Sequence, residues 1–105
     1  MPTIARGFVD QAELKKQVAK AAKALNPKEV RDVEFRIGSD WTGEAAIFFG
    51  ILLTPYGAHD SRLADVTARV REELSERLQP YNRWGLQDYY DFTSDPVFYR
   101  DPNWM

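Results

Sequence analysis

The middle of the chain, residues 30–54, constrains the fold more than any other stretch. Its first half alternates in character, with Val33, Phe35 and Ile37 on one face of a predicted strand and charged residues on the other. The second half, Ala45–Leu53, is apolar at almost every position. Because successive side chains of a strand point to opposite faces, this second strand needs cover on both sides of its sheet. A short glycine-bounded loop joins the two runs, which predicts an antiparallel hairpin.

Two amphipathic helices are predicted, one on either side of this hairpin in the sequence. The first begins after Asp10, a favourable N-cap, and stops before Pro27. The second begins at Asp60 or Ser61 and stops before Pro80. Each helix has one apolar stripe at helical spacing. The stripes are Leu14, Val18, Ala21, Ala22 and Leu25 in the first helix, and Leu63, Val66, Val70, Leu74 and Leu78 in the second.

The remaining sequence completes a small two-layer domain. Residues 80–85 are interpreted as a loop, and residues 86–93, rich in tyrosine, as a third strand. The order is then α-β-β-α-β, which predicts an α+β sandwich with a three-stranded sheet and both helices on one face. The two-sided apolarity of the second strand favours a central place for it. The whole chain, residues 1–105, is expected to be one domain, with residues 94–105 as an aromatic C-terminal tail.

Composition excludes several classes of function. The chain has no cysteine and one histidine, so neither a disulfide framework nor a thiolate or histidine-rich metal site is expected. No cofactor is predicted. The net charge of −2 comes from a dense mixture of both signs, which argues against general nucleic-acid binding. The longest apolar run is far shorter than a membrane span, and the N-terminus does not resemble a signal peptide, so a cytoplasmic protein is expected.

The sheet face turned away from the helices predicts where a partner could bind. It presents Phe48 and Leu52, whose burial would stabilise the chain by about 1.5–3 kcal/mol each. The sequence leaves three alternatives for what covers this face. They are the tail with Phe98, Tyr99 and Trp104, the same face of a second copy, or another protein.

Trp41, at the tip of the hairpin loop, is the second candidate contact. It is either an interface anchor or a residue that folds back onto the hairpin. Because aromatic anchors dominate interface energetics, we predict a non-catalytic protein-binding module that binds a protein partner or forms a homodimer.

One basic cluster gives the alternative function. It lies on the first helix and consists of Lys15, Lys16, Lys20 and Lys23. Such a face could contact phosphates, and the alternative is a nucleic-acid-binding domain with steeply salt-dependent affinity. The simpler interpretation is a solvated helix face.

Catalytic residues are not predicted. Four carboxylates lie near the predicted strand ends: Asp40, Glu44, Asp88 and Asp91. If they gathered, they could bind a hard cation or act as acid and base. His59 has no nucleophile near it in the sequence, and Asp60 beside it is interpreted as the N-cap of the second helix. We expect the protein not to be an enzyme.

Two stretches, residues 35–49 and 88–94, resemble a set of small uncharacterised bacterial proteins, and the resemblance covers roughly residues 30–94. The distinctive motif is Gly-x-Asp-Trp-Thr-Gly at residues 38–43. Proteins of this kind are associated with neighbours of the HEPN type, some of which are RNA-cleaving toxins. The resemblance implies a non-catalytic, antitoxin-like partner role in a two-protein bacterial system, and it brings no established catalytic residues.

Overall fold

Three helices and three strands form within residues 10–96, the part of the chain that this computed structural model describes. In chain order they are α1 (Gln11–Lys23), β1 (Val30–Ser39), β2 (Ala45–Leu53), α2 (Asp60–Leu78), α3 (Pro80–Trp84) and β3 (Gln87–Thr93). The predicted α+β class is confirmed.

The sheet has the order β1-β2-β3, so the apolar strand β2 is central, as its two-sided apolarity favoured. β1 and β2 pair antiparallel, with Phe35 opposite Phe49. β2 and β3 pair parallel, with Phe49 opposite Tyr90. A parallel pair cannot be joined by a tight turn, and here α2 and α3 form the crossover between the two strands.

The core lies between the helices and one face of β2. Four β2 side chains that alternate along the strand are buried there: Ile47, Phe49, Ile51 and Leu53. Residues of both long helices are buried in the same cluster: Leu14, Val18 and Ala21 of α1, and Val66, Val70, Leu74 and Leu78 of α2. Leu63 was predicted in the α2 stripe, but it lies in the first turn of that helix and is 38% exposed.

The N-terminal ends of the two long helices are capped by side chains. Oδ1 of Asp10 accepts a hydrogen bond from the backbone N–H of Glu13 at 3.0 Å, which confirms the predicted cap of α1. The predicted start of α2 at Asp60 is confirmed, but the predicted N-cap was wrong: Asp60 is the first helical residue, and His59 is the N-cap. Its Nδ1 accepts from the backbone N–H of Ser61 at 3.2 Å, because the extended backbone of His59 brings the ring over the helix end.

Residues 80–85 were predicted as a loop but contain the short helix α3. Pro80 is its first residue, where the missing N–H costs no helical hydrogen bond and the fixed φ suits the helix. Gly85 ends it at φ 67°, a conformation that favours glycine. Leu86, predicted in the third strand, is fully buried just before β3 begins.

One buried charge links α2 to the connection between α1 and β1. Glu29 is 7% exposed, and its two carboxylate oxygens accept hydrogen bonds from the Arg69 guanidinium at 2.9 and 3.0 Å. The backbone N–H of Thr54 donates to the Glu29 carbonyl at 2.9 Å. Sequence spacing alone pairs Arg69 with Asp65 on the same helix, but Arg69 reaches across to Glu29 instead, where two parallel bonds are available.

Candidate functional site

An aromatic row crosses the sheet face that is turned away from the helices. Arg36, Phe48 and Tyr89 are directly in register on the three neighbouring strands. The rings of Phe48 and Tyr89 stack with centroids 5.4 Å apart and planes at 18°. The guanidinium carbon of Arg36 lies 4.6 Å from the Phe48 ring centroid, within the range of a cation–π contact.

Trp41 extends this row beyond the end of the sheet. Its ring centroid lies 5.4 Å from that of Tyr89, with the planes tilted by 58°. The side chain nevertheless remains 82% exposed, by far the largest exposure of a large apolar residue in residues 10–96. Trp41 therefore touches the sheet at one edge and presents most of its indole to solvent.

Asp40 fixes the loop that carries Trp41. Its Oδ1 accepts from the backbone N–H of Thr42 at 2.9 Å, from the Thr42 hydroxyl at 2.6 Å and from the backbone N–H of Glu44 at 3.0 Å. Its Oδ2 accepts from the Tyr89 hydroxyl at 2.8 Å. The hydrogen bond from the Thr42 hydroxyl, aided by those from Tyr89 and the backbone, lowers the pKa of Asp40. These hydrogen bonds hold the loop in one conformation and attach it to β3.

The contact between Asp40 and Tyr89 was not predicted. An aspartate followed two residues later by threonine is typical of a side-chain-capped turn, so the local half of this arrangement has a sequence signal. The other half joins residues 49 positions apart, and no local pattern indicates it. Its electrostatic effect is mutual, because the same hydrogen bond raises the pKa of Tyr89.

The other predicted anchors differ in accessibility. Phe48 is half-buried beneath its neighbours in the row, and Leu52 is only 5% exposed, so it offers a partner little surface in this conformation. Phe98, Tyr99 and Trp104 lie outside the described residues. The partner-binding role of all these residues stays a prediction.

The four carboxylates considered as a possible reactive or metal-binding group do not form one site. Asp88 and Asp91 belong to opposite faces of β3, since they are three residues apart on one strand. Asp88 accepts a hydrogen bond from the Tyr90 hydroxyl at 2.7 Å on the helix side. Within residues 10–96 no group of three or more metal-ligating side chains comes together.

The basic face of α1 is exposed, and the fold places two arginines of other helices beside it. Lys15, Lys16, Lys20 and Lys23 are all exposed. A groove of about 300 Å³ brings Lys20 together with Arg77 of α2 and Arg83 of α3. Arg77 also forms an ion pair with Glu73 at 3.2 Å.

No family model, no curated protein and no solved structure matches this chain. Among the helices of residues 10–96, none combines the length and apolarity that crossing a membrane requires.

Proposed function

We propose that this chain is a non-catalytic protein-binding module and that Trp41 is its principal anchor. The observation that carries the proposal is an 82%-exposed tryptophan on a loop held by four hydrogen bonds to one carboxylate. Exposed indole surface is costly in water, and tryptophan is among the residues most enriched at binding hot spots.

The rigidity of the loop supports this role. A partner that buries Trp41 would not have to order the loop, because Asp40 already holds it to Thr42, Glu44 and Tyr89. Preorganisation of this kind removes part of the entropy cost of association. The stacked rings of the aromatic row would then provide a flat surface beside the anchor.

The partner is a second protein or another copy of this chain. A neutralising, antitoxin-like role in a two-protein bacterial system, in the cytoplasm, is one form of the same function. In that form, the Trp41 surface, which consists of Trp41 and the neighbouring rings of Tyr89 and Phe48, would cover the functional site of its partner.

The test compares retention of binding proteins from an extract of the source cells by the full-length chain and by Trp41→Ala. Truncating a hot-spot side chain typically costs about 2 kcal/mol or more of binding free energy, so we expect at least about thirtyfold weaker binding. Trp41→Phe should recover part of the affinity. Since the side chain is already exposed, the free energy of unfolding should change by only about 1 kcal/mol or less.

Leu63→Ala is the matched control, because Leu63 is an exposed apolar residue on α2, away from the loop. It should leave binding unchanged. Light scattering on the full-length chain and on Trp41→Ala separates self-association from binding of another protein. Equal retention by wild type and Trp41→Ala, with no difference in mass, would contradict the proposal.

A nucleic-acid-binding function is the second candidate, favoured by the groove that adds Arg77 and Arg83 to Lys20. It predicts that a labelled RNA or DNA oligonucleotide binds at low salt and is released steeply as salt rises. Lys20→Gln with Arg83→Gln should abolish that binding, while Trp41→Ala should not affect it. An absence of binding at about 50 mM salt would remove this candidate.

A further inference from the structure

The sheet face that carries the aromatic row has more exposed carboxylates than cations. At the in-register positions of that face, exposed carboxylates are contributed by Asp32 and Glu34 of β1 and by Asp91 of β3. The cation on the same positions is Arg36, whose guanidinium lies over Phe48. On the loop beside Trp41, the exposed Glu44 adds a further negative charge.

The opposite side of the molecule, formed by the helices, carries charges of both signs. The exposed lysines of α1 lie there beside exposed carboxylates of α2, so the excess of carboxylates is a property of the sheet face. Because complementary potentials steer association and suppress wrong partners, carboxylates on the same face as an aromatic anchor favour a positively charged partner.

We propose that the Trp41 surface binds a basic segment of a second protein, with an arginine or lysine side chain placed against the indole. This inference rests on the proposed protein-binding function and specifies the chemistry of the partner. A cation over a tryptophan ring is the most favourable cation–π pair, and Glu44 on the same loop supplies the counter-charge.

The protein itself contains an example of this contact. Arg36 already holds its guanidinium 4.6 Å from the Phe48 ring centroid, and Phe48 stacks on Tyr89, which in turn contacts Trp41. A partner arginine on Trp41 would place a second guanidinium at the other end of this row of rings. Arginine fits better than lysine because its planar guanidinium stacks on aromatic faces.

Phosphate groups of a nucleic acid would meet the carboxylates of this face and be repelled. An acidic protein segment would be repelled for the same reason. A second copy of the chain could bring its α1 lysines to the surface, and the test distinguishes that occupant from another protein.

The experiment titrates the full-length, ¹⁵N-labelled protein with three short peptides that differ at one residue type. The first peptide alternates arginine with leucine, the second has citrulline in place of arginine, and the third has glutamate. The readout is the indole N–H signal of Trp41, assigned by its loss in Trp41→Phe. We expect the arginine peptide to shift this signal with an affinity that falls as salt rises, and the other two to bind at least several-fold more weakly.

Charge-neutral variants test the carboxylates of this face and of the Trp41 loop. Glu44→Gln and Glu34→Gln should each weaken the arginine peptide by about two- to fivefold, the range for single exposed charges. Glu72→Gln and Glu76→Gln change the net charge equally, but these exposed residues lie on α2. They should leave the affinity unchanged. Equal weakening by both pairs would overturn the inference, because it would show non-specific attraction to net charge.

The remaining outcomes separate this inference from the proposed function. If the citrulline peptide shifts Trp41 as strongly as the arginine peptide, the preference for a basic partner is wrong and the protein-binding function stands. If no peptide shifts Trp41, the inference is also overturned, and the Trp41→Ala retention assay then decides the proposed function alone. If the protein instead self-associates and Lys16→Gln with Lys20→Gln abolishes this, the occupant is a second copy and the inference is wrong.

Discussion

Replacement of Gly57 by alanine should destabilise this protein substantially. A Cβ atom at Gly57 would lie 2.4 Å from the Glu29 carbonyl oxygen and 2.9 Å from its Cα. Both are backbone atoms, so no side-chain rotation can relieve the clash. The Glu29 segment would have to move, although it is tied to Thr54 by a backbone hydrogen bond and to Arg69 by two more bonds.

The expected cost follows from two destabilising effects and one that opposes them. Overpacking typically costs about 1–3 kcal/mol, and loss of the hydrogen bond between Thr54 and Glu29 costs about 1–3 kcal/mol where the groups are shielded. The reduced entropy of the unfolded chain returns about 0.4–1 kcal/mol. We therefore expect Gly57→Ala to lower the free energy of unfolding by about 1–6 kcal/mol, measured by urea unfolding of the full-length chain.

Gly38→Ala is the matched control. A Cβ there would lie 2.9 Å from Nη1 of Arg36 and 3.4 Å from the Phe48 ring, so the nearest atom is the tip of a flexible side chain. The guanidinium can move away, and the stability should stay within about 1 kcal/mol of wild type. If Gly57→Ala were as stable as Gly38→Ala, the result would refute the close contact between Gly57 and Glu29 as a constraint on this fold. That contact joins the β2–α2 connection to the α1–β1 connection.

Two further predictions concern pH. The pKa of Asp40 is lowered below 3.8 in the folded chain, so its contribution to stability is present above that pH and is lost as pH falls through the lowered value. Asp40→Asn should therefore flatten the acid side of the stability profile, and an unchanged acid side would show that these hydrogen bonds of Asp40 do not contribute. Burial, followed by the hydrogen bond to Asp88, raises the pKa of Tyr90 well above 10.0, so its contribution is present below that pH and is lost as pH rises further. Tyr90→Phe should flatten the alkaline side and cost about 1 kcal/mol at neutral pH, measured by urea unfolding across the pH range.

Local patterns in the sequence were sufficient for most of the elements. The alternation in β1, the apolar run in β2 and the stripes of the two long helices are repeats of two or of about 3.6 residues, and such repeats follow from the geometry of a single strand or helix. The cap at Asp10 is also a contact over three residues. For this reason the α+β class and the hairpin could be predicted, whereas α3 could not, since five residues are too few to show a helical period.

The candidate site also has one part that the sequence predicted and one part that depends on the tertiary structure. Residue type and a loop position between two strands identified Trp41 as a candidate anchor. Its exposure depends on how the loop meets β3, which lies beside β2 only after α2 and α3 cross over the sheet.

The sequence by itself therefore determined the elements of this protein and the polarity of their faces, because those properties depend on neighbours within a few residues. Only the tertiary structure decided that Asp40 meets Tyr89, that Glu29 pairs with Arg69, and that carboxylates of β1 and β3 share a sheet face with the aromatic row. Each of these contacts joins residues far apart in the chain. They arise from strand order and helix packing, which are fixed by the burial of the core as a whole.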